Sequence, residues 1–315
     1  MIKRRSVAFA RLLRVVVSVV AVVPGFVWAQ ADGSASAAPV NIRYPELGGG
    51  SDRRNDYYVA ALKLALEKSE QRYGGYRLRP NTMDAPQERL LRLISTGESL
   101  DVMWSMTTRE RETYLRPVRI PLLKGLMGYR VLIVRAEDRE EFAAIRHKEQ
   151  LAEKVAGQES DWPDTRILRA NDLPVTTAAY EKLFTMLQHE RFDYFPRAIN
   201  EPWSEIEQHS ELDLIVEEHL LLHYPTAIYF FVHKDNAALA ERLAFGLKAA
   251  QADGSFDRLF YKHPENARAF SASDLLSRRI LSLENPLLPD ATPLDNPDLW
   301  WHPGISQAKR RKSDH

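Results

Sequence analysis

Asp101 to Arg116 reads DVMWSMTTRERETYLR, an apolar run that passes without a break into hydroxyls and charges. A strand that ends this way puts Ser105 and Thr107 at its exit. Hydroxyls and free backbone N–H groups at such an exit suit an anion, although helix capping uses the same residue types. Arg111 carries a planar guanidinium fork that can meet a carboxylate with two parallel bonds, which lysine cannot do. Arg109, Glu110, Arg111 and Glu112 also alternate in sign, as a solvated helix start would. Trp104 can be an apolar wall for a ligand or part of the core. A second exit of the same kind, FDYFPRAINEP, carries Arg197 and Glu201. His219 and His223 in EEHLLLH have helical spacing for one metal, but their segment lacks a helix cap and can equally extend, which separates them. No nucleotide-binding loop, nucleophile elbow or zinc-protease helix is present in the sequence, and no cofactor or metal is expected.

Elements must position these residues. VNIRY (Val40 to Tyr44) reads as a strand, and from Asp56 the apolar residues recur at helical spacing until Gly74-Gly75, with Asp56 as the expected cap. A second strand is expected at Tyr76 to Arg79, a helix at Pro86 to Ser95, and then the strand that leads to Trp104. Strand, helix, strand, helix, strand is the order of a mostly parallel sheet with crossover helices, which places ligands at the carboxyl ends of its strands. The middle of the chain repeats this unit: Leu93-Ile94 aligns with Met186-Leu187, and Leu100-Asp101 with Phe192-Asp193. GYRVLIVR (Gly128 to Arg135) and PTAIYFFVHKD are strand-like runs that read as paired crossings between two lobes. A helix follows over Leu239 to Ala250 and is expected to stop at ADGSFDRLF. The proline-rich end should then lie extended along a lobe, anchored by Trp300 and Trp301.

The first 29 residues are set aside from the fold. MIKRR is basic, and Val15 to Ala29 is apolar but shorter than a bilayer span, with Pro24-Gly25 before a cleavage expected after Ala29 or Ala31. Removing Lys3, Arg4, Arg5, Arg11 and Arg14 leaves 38 basic against 43 acidic residues. This mild acidic excess gives no footprint for nucleic acid, and the basic cluster KRRK at Lys309 to Lys312 reads as a solvated end. The absence of cysteine excludes disulfides and thiolate chemistry. The expected organisation is a signal peptide at 1–29, a linker at 30–39, one lobe from 40–128 and 225–290, a second from 129–224, and a tail at 291–315.

On three stretches the chain resembles the amino-acid-binding type of periplasmic solute-binding protein, family 3 of the bacterial extracellular solute-binding proteins. They are TGESLDVMWSMTTRERE, RIPLLKGLMGYRVLIVR and YFFVHKDNAALAERLAFGLKAAQADGSFDRLF. The resemblance runs over roughly residues 40 to 262, carried by the order of its motifs. It implies an α/β, two-lobed type II periplasmic-binding-protein fold, with helices flanking a mostly parallel sheet in each lobe and a hinge crossed twice. It implies closure on a small solute and delivery to an ABC transporter or a membrane sensor. The alternatives are a dehydratase-like periplasmic enzyme, with Asp164 or Glu201 as a general acid, and a sensing module without transport. By the same resemblance Arg111 is the arginine that clamps a carboxylate. GQESDWPDTRILRAN fills the slot of a helix start facing the cleft, with Asp164 or Thr165 as its cap and Trp162-Pro163 stiffening the approach. Tyr44 joins the ligand-contacting candidates. The chain has Arg197-Ala198 where amino-acid binders carry an aspartate for the α-ammonium, so an anionic solute is expected, with Glu201 near enough to take an acidic role. A periplasmic monomer that binds no nucleic acid completes the expectation.

Overall fold

In the computed structural model of the protein, residues 38–46, 55–83, 85–272, 275 and 277–302 are described. The expected signal peptide, most of the linker and the KRRK end lie outside them. The chain begins β1 (Val40–Glu46), α1 (Asp56–Tyr73), β2 (Tyr76–Thr82), α2 (Gln87–Thr96), β3 (Val102–Met106), α3 (Arg109–Tyr114) and β4 (Leu115–Val118). It continues through β5 (Tyr129–Arg135), α4 (Arg139–Ala144), α5 (Lys148–Leu151), β6 (Ala156–Gln158), α6 (Pro163–Ala170), β7 (Val175–Thr177), α7 (Tyr180–Gln188), β8 (Phe195–Ala198), α8 (Pro202–Gln208), β9 (Leu214–Val216) and β10 (Leu220–His223). It ends with β11 (Ile228–His233), α9 (Ala237–Ala252), α10 (Ser255–Lys262), α11 (Pro264–Ala272) and β12 (Arg279–Ser282).

The two repeated sequence units fold alike. β1 and β2 pair in parallel over their full length, and β6 pairs in parallel with β7. In the first lobe the Asp101 N–H donates to Arg43 O at 2.9 Å, and the Asp101 carboxylate accepts the Arg43 N–H at 2.7 Å, which ties β3 to β1. In the second lobe Asp193 does the same to Val155, at 2.8 and 2.7 Å. Each unit then receives an antiparallel strand from the other side of the chain: β11 lies against β3, and β5 against β8. Leu90, Leu91 and Ile94 of α2 bury against Met103 and Phe231. Leu183, Phe184 and Leu187 of α7 bury likewise against Phe195 and Ile133. Each lobe therefore combines a parallel two-stranded sheet, β1–β2 or β6–β7, with a second sheet whose strands pair antiparallel at the hinge.

The chain crosses the hinge between β4 and β5 and again between β10 and β11. There the Tyr224 N–H donates to Gly128 O at 3.1 Å, and a Cβ on residue 128 would stand 2.2 Å from Tyr224 O, so only glycine fits. The C-terminal end departs from the expected run of 225–290 within the first lobe. β12 pairs in parallel with β10 of the second lobe's sheet, because β10 has an edge to cover once β5 takes its other side. The chain then returns to the first lobe, where the Arg109 N–H donates to Leu287 O at 2.9 Å. Trp301 is buried and meets the Tyr129 ring edge-on at 5.3 Å, as a packing anchor does.

Local details also depart from expectation. The residue preceding α1 is Asn55 rather than Asp56, and Asn55 Oδ1 accepts from the Trp104 indole at 3.0 Å. α9 stops at Ala252 as expected, but after the Gly254 turn at φ +75° the chain resumes as α10 and α11. His219 precedes strand β10 and His223 ends it, with the His223 ring 4.4 Å from that of Tyr129.

Candidate ligand-binding cleft

A cavity of about 380 Å³ opens where the exits of β3 and β8 face each other. From the first lobe Trp104 and Ser105 line it. From the second come Trp162, Asp164, Arg197 and Glu201. Six of the ten residues singled out in the sequence are thus brought together. Tyr44, Thr107, Arg111 and Thr165 do not line the cavity. Tyr44 sits behind Trp104, ring centres 6.5 Å apart. Thr107 Oγ1 donates to Glu112 at 2.7 Å. Thr165 Oγ1 donates to Glu159 O at 2.8 Å. Neither Asp164 nor Thr165 caps α6, which starts at Pro163 after Trp162 and has no side-chain cap.

Arg111 is buried beneath the exit it was expected to face. Thr108 caps its helix by accepting the Arg111 N–H at 3.1 Å, which turns the side chain back under β3. Its Nη1 donates to Ser105 Oγ at 2.7 Å and Met106 O at 3.0 Å, and its Nη2 reaches Asp161 O of the second lobe at 3.3 Å. Burial pulls its pKa down, opposed chiefly by Glu88.

Arg197 does line the cavity, but its charge is answered from within. Nε and Nη2 make a fork with the Glu205 carboxylate at 2.6 to 3.1 Å, and Nη2 lies 3.2 Å from Glu201. The guanidinium carbon is 4.9 Å from the Trp162 ring centre, 5.0 Å from that of Phe195 and 5.5 Å from that of Tyr180. Burial works against the charge, but Glu201 and Glu205 outweigh it and hold the pKa above the usual arginine value. The expectation of an anion rested on a free positive charge at this position, and that charge is already matched.

Sequence reading passed over Arg130, which lies in the wholly buried strand β5 and lines the cavity. Its Nη2 is 2.6 Å from Asp164 Oδ1 and its Nη1 3.6 Å from Glu201 Oε2, while its Nε is buried without a partner among the described residues. Burial opposes its charge, and Asp164, Tyr224 and Glu201 more than restore it. Asp164 also accepts from the Tyr224 hydroxyl. The signal was available: an arginine inside an otherwise apolar strand needs a buried partner or a ligand. Tyr58 was passed over as well; its ring stacks on Trp104 at 5.5 Å and 10°. Burial pushes the Glu201 carboxyl above its usual range, although Arg197, Arg130 and the Ala198 N–H pull the other way.

The cavity therefore presents four aromatic side chains, Tyr58 and Trp104 from one lobe and Trp162 and Tyr180 from the other. It presents four carboxylates, Glu159, Asp164, Glu181 and Glu201, against the two guanidiniums of Arg130 and Arg197.

No protein-family model matches the sequence, and no curated protein matches it significantly. Solved structures do match in fold. An ancestral arginine-binding protein bound to arginine superposes with a TM-score of 0.54 at 15% identity, covering 70% of this chain and 97% of that one. A Salmonella typhimurium periplasmic binding protein of high arginine specificity gives 0.54 at 15%, covering 71% and 99%. The VFT2 domain of Bordetella pertussis BvgS, as a double mutant, gives 0.55 at 15%, covering 70% and 92%. The protein has the two-lobed α/β fold of the amino-acid-type periplasmic solute-binding proteins.

Proposed function

We propose that the protein binds a small solute carrying positive charge in the cleft between its lobes and releases it by lobe opening. The observation that carries this reading is the lining itself. Carboxylates outnumber guanidiniums two to one, both guanidiniums are already paired with acids, and four aromatic side chains stand in the lining, two of which, Trp162 and Tyr180, already carry the Arg197 cation. The solved relatives named as arginine-binding support it. The expected anionic solute has no such support, since it would enter a net acidic site.

We read the binding as periplasmic, a reading supported by the apolar leader in the sequence and by the periplasmic neighbour in fold. Hand-over to a membrane partner follows the same analogy. One match, of TM-score 0.52, is named as the substrate-binding protein of an amino-acid ABC transporter, and another belongs to BvgS. The first of these names supports an ABC transporter as the membrane partner, with a membrane sensor as the second reading.

Thermal-shift titration with arginine, lysine, agmatine, glutamate and succinate tests the reading. The stabilisation of a binder grows as RT ln(1 + [L]/Kd), so the cations should raise Tm by several degrees at millimolar concentration and the di-acids should not. Stabilisation by the di-acids alone overturns it. Turnover of a stabilising compound would instead favour the enzyme reading, with the burial-shifted Glu201 as proton donor.

A further inference from the structure

Among the described residues of the cleft lining, two side-chain donors are buried with neither a hydrogen-bond nor an ionic partner, Asn55 Nδ2 and Arg130 Nε. They come from opposite lobes. Asn55 precedes α1, and its Oδ1 accepts from the Trp104 indole, a group that can only donate. That bond fixes the amide and leaves Nδ2 to donate elsewhere. Arg130 is the second residue of β5 and 2% exposed, with Nη2 held at Asp164 and Nη1 at Glu201. Those acids orient the guanidinium and leave its Nε edge over. Tyr58 links the two positions. Its ring stacks on Trp104, and its hydroxyl is pushed up in pKa by burial, Glu201 and Glu265 while Arg130 and Arg197 pull it down. Ser105 and Arg197, by contrast, are engaged: the Ser105 hydroxyl donates to Gln87 Oε1 at 2.9 Å, and Arg197 is forked onto Glu205.

We propose that Asn55 Nδ2 and Arg130 Nε are specificity-determining donors of the cleft, and that they take an oxygen acceptor carried by the cationic solute, a carboxylate or an amide carbonyl. A buried donor costs free energy while it lacks an acceptor, and a solute that supplies one gains that amount in its own affinity. Donors on both lobes make the gain conditional on closure, because an acceptor held by one lobe meets the donor of the other only when the lobes approach. The positive charge of the same solute meets the acidic lining. This is not the subsite expected from the sequence. Arg111 is turned under β3 behind its Thr108 cap, and the donors come instead from the residue before α1 and from β5.

This rests on the reading of the cleft as a cation site, and the experiment separates the two. Isothermal titration compares agmatine with arginine and argininamide, and cadaverine with lysine and lysinamide. Within each set the side-chain cation is constant and only the acceptor changes. In the set that binds more tightly, an acceptor-bearing member should bind at least tenfold tighter than the bare amine, and the acid and amide members tell which acceptor the donors take. A smaller ratio, or a bare amine that binds best, overturns the proposal and leaves the cation site standing. Failure of all six to bind overturns both, whether or not glutamate or succinate binds. Asn55→Asp keeps an oxygen for the Trp104 indole and removes the donor, so it should narrow the ratio to less than threefold, with circular dichroism reporting the fold. Equal weakening of the whole set, as loss of Trp104 support alone would give, overturns the donor role of Asn55. Arg130→Lys keeps a charge for Asp164 and Glu201 without the Nε donor and should narrow the ratio likewise; a ratio kept in the folded variant overturns the role of Arg130. The comparison on the unaltered chain decides whether an acceptor is read even if a variant does not fold.

Discussion

Arg197 shows how little a residue's type says about its charge balance. From sequence it was a cation at a strand exit. In the fold it is forked onto Glu205, both side chains buried, and packed among three aromatic rings. Replacing it with methionine should therefore cost stability before it costs binding, about 3–5 kcal/mol, because the buried Glu205 would lose its opposite charge and keep only the Tyr180 hydroxyl at 2.8 Å. The double change Arg197→Met with Glu205→Leu should recover most of that loss, read as the urea midpoint at constant slope. A single variant as stable as the parent would show that Glu205 finds water or another donor. The pairing was not legible beforehand: Glu205 lies eight residues on, in α8, and which acid meets Arg197 depends on how the chain turns between β8 and α8. Glu201, named from proximity alone, lines the same cavity for the simpler reason that it opens that turn and its carboxylate accepts the Ala198 N–H at 2.8 Å.

At the scale of elements, the periodic segments were readable, and the close approaches between them were not. α1 and α9 were both expected from helical spacing. Their separation is set by Gly246, where a Cβ would stand 1.8 Å from Ala65 O, a backbone atom that cannot step aside. Gly246→Ala should force the helices apart, at a cost of about 1–3 kcal/mol by overpacking. A thermal or urea midpoint unchanged from the parent would mean that α9 slides freely on α1. The Asp101 and Asp193 anchors were found by aligning two short units, since a buried strand followed by polar residues repeats in both. Helices α10 and α11 were missed because ADGS reads as a terminator, while the structure uses it as a turn between helices. β12 was missed because four residues give no period, and its place depends on the open edge of β10.

At the scale of the molecule, the lobes meet across the mouth of the cleft through contacts that need no solute. Asp161 caps α2, Arg111 reaches Asp161 O, and Arg166 of α6 pairs with Glu110 of α3 at 2.7 Å. The Arg166 pair is exposed and stabilises by only about 0.2–1 kcal/mol, yet such an amount shifts a balanced opening equilibrium up to several-fold. Arg166→Glu puts like charges there and should raise the radius of gyration of the solute-free protein in small-angle scattering, most clearly at low salt. Exchanging the charges, Glu110→Arg with Arg166→Glu, should restore the compact value. Scattering curves that coincide for all three proteins would show that the mouth contacts do not govern opening.

The sequence by itself determined the class of fold, the two repeated units, the hinge strands and the two exits that meet at the cleft. These rest on local periodicity and on turn residues, which are properties of neighbours along the chain. Only the tertiary structure decided the character of the cleft. Arg111 turned inward, Arg197 was neutralised by Glu205, Arg130 emerged from a buried strand, and Asp161 crossed from the other lobe to α2. A charge becomes a binding group only when its partners in space leave it unmatched, and those partners lie between 4 and 73 residues away along the chain.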